Sequence, residues 1–195
     1  MDASTFAARA AGIRTCFLDR DGVLNRKMPE GQYVRRWSEF EVLPGVVEAI
    51  RNLNDAGIRI IVVSNQRGIA KGLYSETDVE EIHARFQHVL AANGARIDGF
   101  YFCPHDKAGC DCRKPRIGMF DQARHDFPAI AAASSAMIGD SLSDIEFGHR
   151  LGMLTILLDG DKSQERPGAA EAVVLADLCS ASLAQAVTAL LRFRQ

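Results

Sequence analysis

Polar residues able to do chemistry follow directly after apolar runs at several places in this chain. The first is Asp19-Arg20-Asp21-Gly22, placed after "RTCFL" at 14–18, an apolar run ending at Leu18. Two carboxylates so close repel, so a cation, or a reaction that uses two acids, is expected beside them. In an extended segment, side chains at i and i+2 share a direction, which would bring Asp19 and Asp21 to one pocket. The pair could divide into a nucleophile and a proton donor, or hold a divalent cation together. A bare D-x-D-G is more often a solvated turn, so this stretch needs company. Ser64 and Asn65 end the β-branched run "IRIIVVS", with Gly68 and Gly72 behind them. They read as a phosphate-binding corner or, equally, as an ordinary polar loop. "CRKP" pairs Arg113, able to clamp two oxygens, with Lys114, a mobile point charge. "IGDSLSD" delivers Asp140 after another apolar run, while Asp144 is as well explained by the first turn of a helix as by a ligand role.

Taken together these places form a constellation. The acids at 19, 21 and 140 exceed what one lysine cancels, so Mg²⁺ bridging Asp19, Asp21 and Asp140 is expected. A phosphate cradled by Ser64, backbone amides and Lys114 would complete the charge balance.

A second cluster is of another kind. "CPHDKAGCDC" spaces Cys103, His105, Cys110 and Cys112 as C-x-H-x4-C-x-C. Three thiolates and an imidazole suit tetrahedral Zn²⁺, tightly enough to pin a loop rather than build a nucleic-acid-reading helix. With every ligand committed, such a zinc is structural. Its place before Arg113 and Lys114 suggests that it holds those cations in position. Cys16 and Cys179 read as reduced core residues.

The elements that must position these groups alternate. Strands are expected at 14–18, 58–64, 99–103, 135–139 and 154–159, with a short sixth in "AVVLADL". Helices are expected at 45–57, from Ser75 to about 94, at 117–127, at 142–151 and in the closing "SLAQAVTALLRF". Alternating β and α predicts a Rossmann-like, doubly wound parallel sheet with helices on both faces, whose ligands bind at the carboxyl ends of the strands. Residues 1–13 read as a flexible tail and 14–195 as a single domain.

Bulk properties narrow the partners. The chain has 195 residues and a net charge of −2, which recommends neither nucleic acid nor an anionic membrane as a partner. No apolar run reaches a membrane-spanning length, and the first residues lack a signal-peptide pattern, so a cytoplasmic protein is expected.

The motifs "DRDGVLN", "SN", "RKP" and "GDSLSD" resemble those of the haloacid dehalogenase (HAD) superfamily of phosphatases. Within it, "FLDRDGVLN", "VVSNQRGIAKG" and "CDCRKPRIGMF" are similar to the family of heptose-bisphosphate and histidinol-phosphate phosphatases. The resemblance implies that Asp19 attacks phosphorus to form an aspartyl phosphate. It implies that Asp21 protonates the leaving oxygen and then activates water. Ser64, Asn65, Gln66, Arg67, Arg113 and Lys114 would bind substrate, Arg113 at its second anionic end. It also implies a capless HAD fold with a zinc-pinned loop, Mg²⁺ and Zn²⁺ as cofactors, a small sugar phosphate as substrate and a monomer. The chain departs from the family in its four-residue span between His105 and Cys110, and in Ser141, where a lysine is usual. Ser141 therefore takes no part of that lysine's role. Arg26, Lys27, Arg35 and Arg36 read first as a solvated basic loop. Two alternatives stay open: histidinol phosphate as substrate, and a non-catalytic zinc-loop binding module.

Overall fold

A computed structural model describes residues 2–106, 109–160 and 167–194. Helix α1 (Ala3–Ala11) leads into β1 (Thr15–Leu18), and α2 (Val46–Asp55) follows a long connection. β2 (Arg59–Asn65) runs into a short turn of helix, α3 (Arg67–Ala70), and then α4 (Glu76–Ala91). β3 (Gly99–Cys103), α5 (Gly118–Asp126), β4 (Ser135–Gly139), α6 (Leu142–Arg150) and β5 (Leu154–Leu158) come next. α7 (Ala169–Leu175), β6 (Leu178–Ser180) and α8 (Leu183–Leu191) close the chain. All pairings are parallel, in the order β3-β2-β1-β4-β5-β6.

The central strands are apolar on both faces because both are covered. Cys16, Leu18, Ile60, Val62 and Ile138 face a core shared with α1, α2, α4 and α8. Phe17, Ile61, Val63 and Met137 alternate to the other side, against Met119 and Phe120 of α5 and Phe147 of α6. Gly45 opens α2 at φ 76°, and Ser75 caps α4 through a reciprocal pair with Asp78. No cap domain is inserted among the described residues.

The structure corrects the reading at three points. The first residues are not a tail. Asp2 caps α1 by accepting from the Thr5 amide, Ala10 is fully buried, and Phe6 packs edge-on against Phe193 at 6.2 Å. Alanine favours helix, and contact with the closing segment supplies the burial a lone helix lacks. "AVVLADL" is not a strand: it is mostly α7, whose valines point outward with Val174 87% exposed. Pairing with β5 begins only at Leu178, opposite Ile156. Cys179 lies on this edge strand and is exposed rather than in the core.

Candidate active site at the carboxyl ends of the strands

β1 ends at Leu18, and the next residues turn at once. Asp19 still pairs with the sheet, donating its amide to the Ile138 carbonyl at 3.0 Å. Gly22 then takes φ 93°, and a side chain there would come within 2.5 Å of Asp140. Gly139 leaves similar room, since a Cβ would sit 2.2 Å from Asp144. Two glycines thus let two acid-bearing segments, 19–22 and 139–144, bring three acids close. Asp19, Asp140 and Asp144 each offer an oxygen within 4.8 Å of the others, and all are buried.

Two lysines balance them. Lys114, 3% exposed, reaches Asp19 at 2.9 Å and Asp144 at 2.5 Å, and donates to the Val63 carbonyl at 2.7 Å. Lys27 reaches Asp140 at 2.7 Å. Burial tends to lower both ammonium groups, but the facing carboxylates outweigh it and hold them charged. For Asp19 the balance goes the other way. Burial first, then repulsion from Asp144, push it up to about 7 against the pull of Lys114.

Asp21 does not join this group. The backbone turns, with the Leu24 amide on the Arg20 carbonyl at 2.8 Å, so the extended geometry assumed for i and i+2 ends before Asp21. Its carboxylate pairs with the buried Arg20 at 2.9 Å and accepts from Asn25 at 2.9 Å and from Gln66 at 3.1 Å. Burial would raise it, yet Arg20, Asn25 and Gln66 together hold it below the usual carboxylate range. The side-chain carboxylates that gather here are thus Asp19, Asp140 and Asp144, with that of Asp21 turned to Arg20, Asn25 and Gln66. Arg20 was overlooked as a positioning group, although its place between two acids was the available signal.

β2 supplies the facing wall. Ser64 is buried and accepts from Gln66 Nε2 at 2.5 Å. Asn65 clamps the Lys114 backbone in both directions, donating to its carbonyl at 3.2 Å and accepting from its amide at 3.0 Å. Arg67 pairs with Asp106 at 2.5 Å. A cavity of about 350 Å³ joins Asp19, Asp21, Lys27, Ser64, Asn65, Gln66, Arg67, Arg113, Lys114 and Asp144. Arg113 Nη1 is buried there without a hydrogen-bond partner among the described residues, an unused donor suited to an anion. Of the basic loop, Lys27 enters the cavity, whereas Arg26 pairs with Glu41, and Arg35 and Arg36 with Glu39. Trp37 stacks on Phe40 at 5.4 Å as a packing anchor. Ser141 caps α6, its hydroxyl donating to Asp144 at 2.5 Å, and so helps hold that acid.

Cys103, at the end of β3, meets the loop that follows. His105 Nδ1 lies 3.3 Å from Cys112 Sγ, and Cys103 Sγ lies 3.6 Å from both His105 Nδ1 and Cys110 Sγ. Bonds of about 2.3 Å to sulfur and about 2.0 Å to nitrogen in a tetrahedron give ligand separations of about 3.5–3.8 Å, so the group is compatible with zinc. Lys107 and Ala108, in the short span noted from the sequence, lie outside the described residues. Arg116 donates to the Cys110 carbonyl, and Gly118 to that of Asp111 at 2.9 Å, tying the loop to the segment that carries Arg113 and Lys114.

Residues 111–186 match the HAD-hydrolase-like family model. The chain is 45% identical over 146 residues to D-glycero-alpha-D-manno-heptose-1,7-bisphosphate 7-phosphatase of Mycobacterium bovis, covering 74% of this chain and 76% of that relative. It is 39% identical over 145 residues to the D-glycero-beta-D-manno-heptose-1,7-bisphosphate 7-phosphatase of Escherichia coli K12, covering 70% and 74%. Among solved structures, it is similar to the D,D-heptose 1,7-bisphosphate phosphatase of B. bronchiseptica complexed with magnesium and phosphate. There the TM-score is 0.79 at 27% identity, over 92% of this chain and 99% of that one.

Proposed function

The chain belongs to the heptose-1,7-bisphosphate 7-phosphatase family of HAD-like hydrolases, and from that premise we propose that it removes the 7-phosphate of D-glycero-D-manno-heptose 1,7-bisphosphate. The observation that carries the reading is the meeting of Asp19, Asp144, Ser64 and Lys114 around one cavity, with an Asp140 oxygen within 4.8 Å of the two acids. The relatives named for the α-anomer share 45% identity and those named for the β-anomer 39%, which favours the α-anomer as substrate.

Asp19 is the nucleophile. Its carboxylate oxygen bonds to phosphorus as the bond from phosphorus to the sugar oxygen breaks, leaving an aspartyl phosphate. Asp21 gives the departing oxygen its proton and takes one from the water that hydrolyses the intermediate. The unliganded site holds Asp21 ionised, and a phosphoryl dianion brought beside it raises its hold on a proton. Ser64 and Lys114 donate to the phosphoryl oxygens, and Arg113, with Asn65 and Arg67 on the facing loop, receives the rest of the substrate, while Gln66 acts from behind on Asp21 and Ser64. Asp19, Asp140 and Asp144 would hold Mg²⁺, which when bound supplies neutralising charge to the nucleophile and the phosphoryl group. Cys103, His105, Cys110 and Cys112 would hold a structural Zn²⁺. We assign residues 14–195 to one catalytic domain braced by α1, acting as a cytoplasmic monomer.

The test is phosphate release with Mg²⁺ from both heptose anomers, histidinol phosphate and fructose 1,6-bisphosphate. A kcat/KM for the α-anomer at least about a hundredfold above the rest is expected. Preference for histidinol phosphate would replace the substrate and keep the chemistry. No release from any of them would sink the reading.

A further inference from the structure

Gln66 stands between the proton-handling acid and the phosphoryl-binding hydroxyl, and its amide is fully engaged. Nε2 donates to Asp21 Oδ2 at 3.1 Å and to Ser64 Oγ at 2.5 Å, while Oε1 accepts from the Tyr74 hydroxyl at 2.8 Å. An ionised carboxylate only accepts, so Asp21 requires the N–H side of the amide. Ser64, having spent a lone pair on Gln66, keeps its own proton for the cavity.

Tyr74 is built to stay in place. Its hydroxyl proton is spent on Gln66 Oε1. A side chain at Gly68 would lie 2.1 Å from the Tyr74 ring and 2.8 Å from its oxygen, so only glycine lets the ring close over this loop. Tyr33 packs on the same ring at 6.0 Å. With Gln66 2% and Tyr74 8% exposed, no bulk water stands ready to replace the contact.

We propose that Tyr74 is a positioning residue for the phosphoryl transfer, acting through Gln66 to aim the Asp21 carboxylate and the Ser64 hydroxyl. The inference rests on the phosphatase reading above. Without the phenolic donor, Gln66 Oε1 is a buried carbonyl with no partner, and the amide turns away from Asp21 and Ser64 to satisfy it.

Tyr74→Phe keeps the ring and its packing and deletes only the hydroxyl. On D-glycero-α-D-manno-heptose 1,7-bisphosphate, kcat should fall about tenfold, with KM held within about twofold. The thermal midpoint should move by less than about 4 °C. In a Gln66→Ala background the same change should alter kcat by less than about twofold, because the pathway is already cut. Losses that multiply in the double variant, a loss carried by KM, or an unchanged kcat in Tyr74→Phe would each overturn the proposal. If wild type turns over while Tyr74→Phe matches it, the role of Tyr74 alone is lost. If wild type releases no phosphate from any substrate of the panel, the phosphatase reading falls and this inference with it.

Discussion

The carboxylates of Asp19, Asp140 and Asp144 are buried throughout, whereas in the thiol cluster only Cys103 is buried and His105 is exposed. Both clusters sit at the carboxyl edge of the same sheet, and each gathers ligand atoms within 4.8 Å. The acids repel and are held together by the fold around them: Lys114 and Lys27 offset part of the charge, and Gly22 and Gly139 permit the approach. The thiols repel little until ionised, and a loop with few other anchors carries them. On the proposed function one arrangement would store reactivity, and the other, with zinc bound, would stiffen its loop. The difference would lie in what each cluster costs without a cation, and it can be broken experimentally.

The largest effect is expected from Asp19→Asn. Turnover should fall by about 10⁴ or more, while the thermal midpoint holds or rises because a repelling charge has gone. Activity above about 1% of wild type would remove Asp19 from the nucleophile's role. Lys114→Met should act on stability as well. Leaving the acids without their buried cation should cost about 3–5 kcal/mol in chelator, read from urea unfolding, with Mg²⁺ recovering part of it. A midpoint equal to wild type would refute the account of a strained acid cluster.

Cys110→Ser addresses the other cluster. Zinc content should drop from one per chain toward none, and the midpoint by about 5 °C or more. KM should rise more than kcat falls, since Arg113 and Lys114 would be displaced rather than removed. Equal zinc in wild type and variant, or none in either, would end the comparison between the clusters.

The smallest effects are pH slopes in metal-free protein. Asp19, raised from 3.8 to about 7, binds more protons folded than unfolded, so its contribution is present below about pH 4 and fades as pH rises through 7. Mg²⁺ or Asp19→Asn should flatten that decline. His83 behaves in the opposite sense. It is stacked on Phe100 at 4.5 Å and depressed to about 3, first by burial and then by Arg20. Its stabilising contribution is present above its unfolded value of 6.5 and is lost as pH falls toward 3. Urea midpoints at pH 5 and pH 8 for wild type, Asp19→Asn and His83→Leu separate the two. A His83→Leu profile parallel to wild type would show that His83 accepts its proton in place.

Much of the architecture is legible in local pattern. The alternation of Phe17 with Cys16 and Leu18, or of Ile61 with Ile60 and Val62, marks strands covered on both faces. The Ser75 cap and the Gly45 and Gly57 turns bound helices through backbone chemistry alone. The tight spacing of Cys103, His105, Cys110 and Cys112 brings them near one another because few residues intervene. Where such local signals mislead, long-range contact decides. "AVVLADL" has strand-like composition, but its place beside α6 and the late pairing of Leu178 make it a helix. The first residues become helix because Phe6 finds Phe193, almost a full chain length away.

The same division runs through the site. By itself the sequence determined the fold class and which strand ends would carry acids, a hydroxyl and a lysine, since apolar periodicity and residue type are local properties. Only the tertiary structure decided how those groups are paired. Asp21 turned to Arg20 and Gln66, Asp144 joined Asp19 and Asp140, and Tyr74 came to rest on Gln66. Those outcomes follow from backbone turns, from glycines that admit close approach, and from the requirement that buried charges and amides find partners.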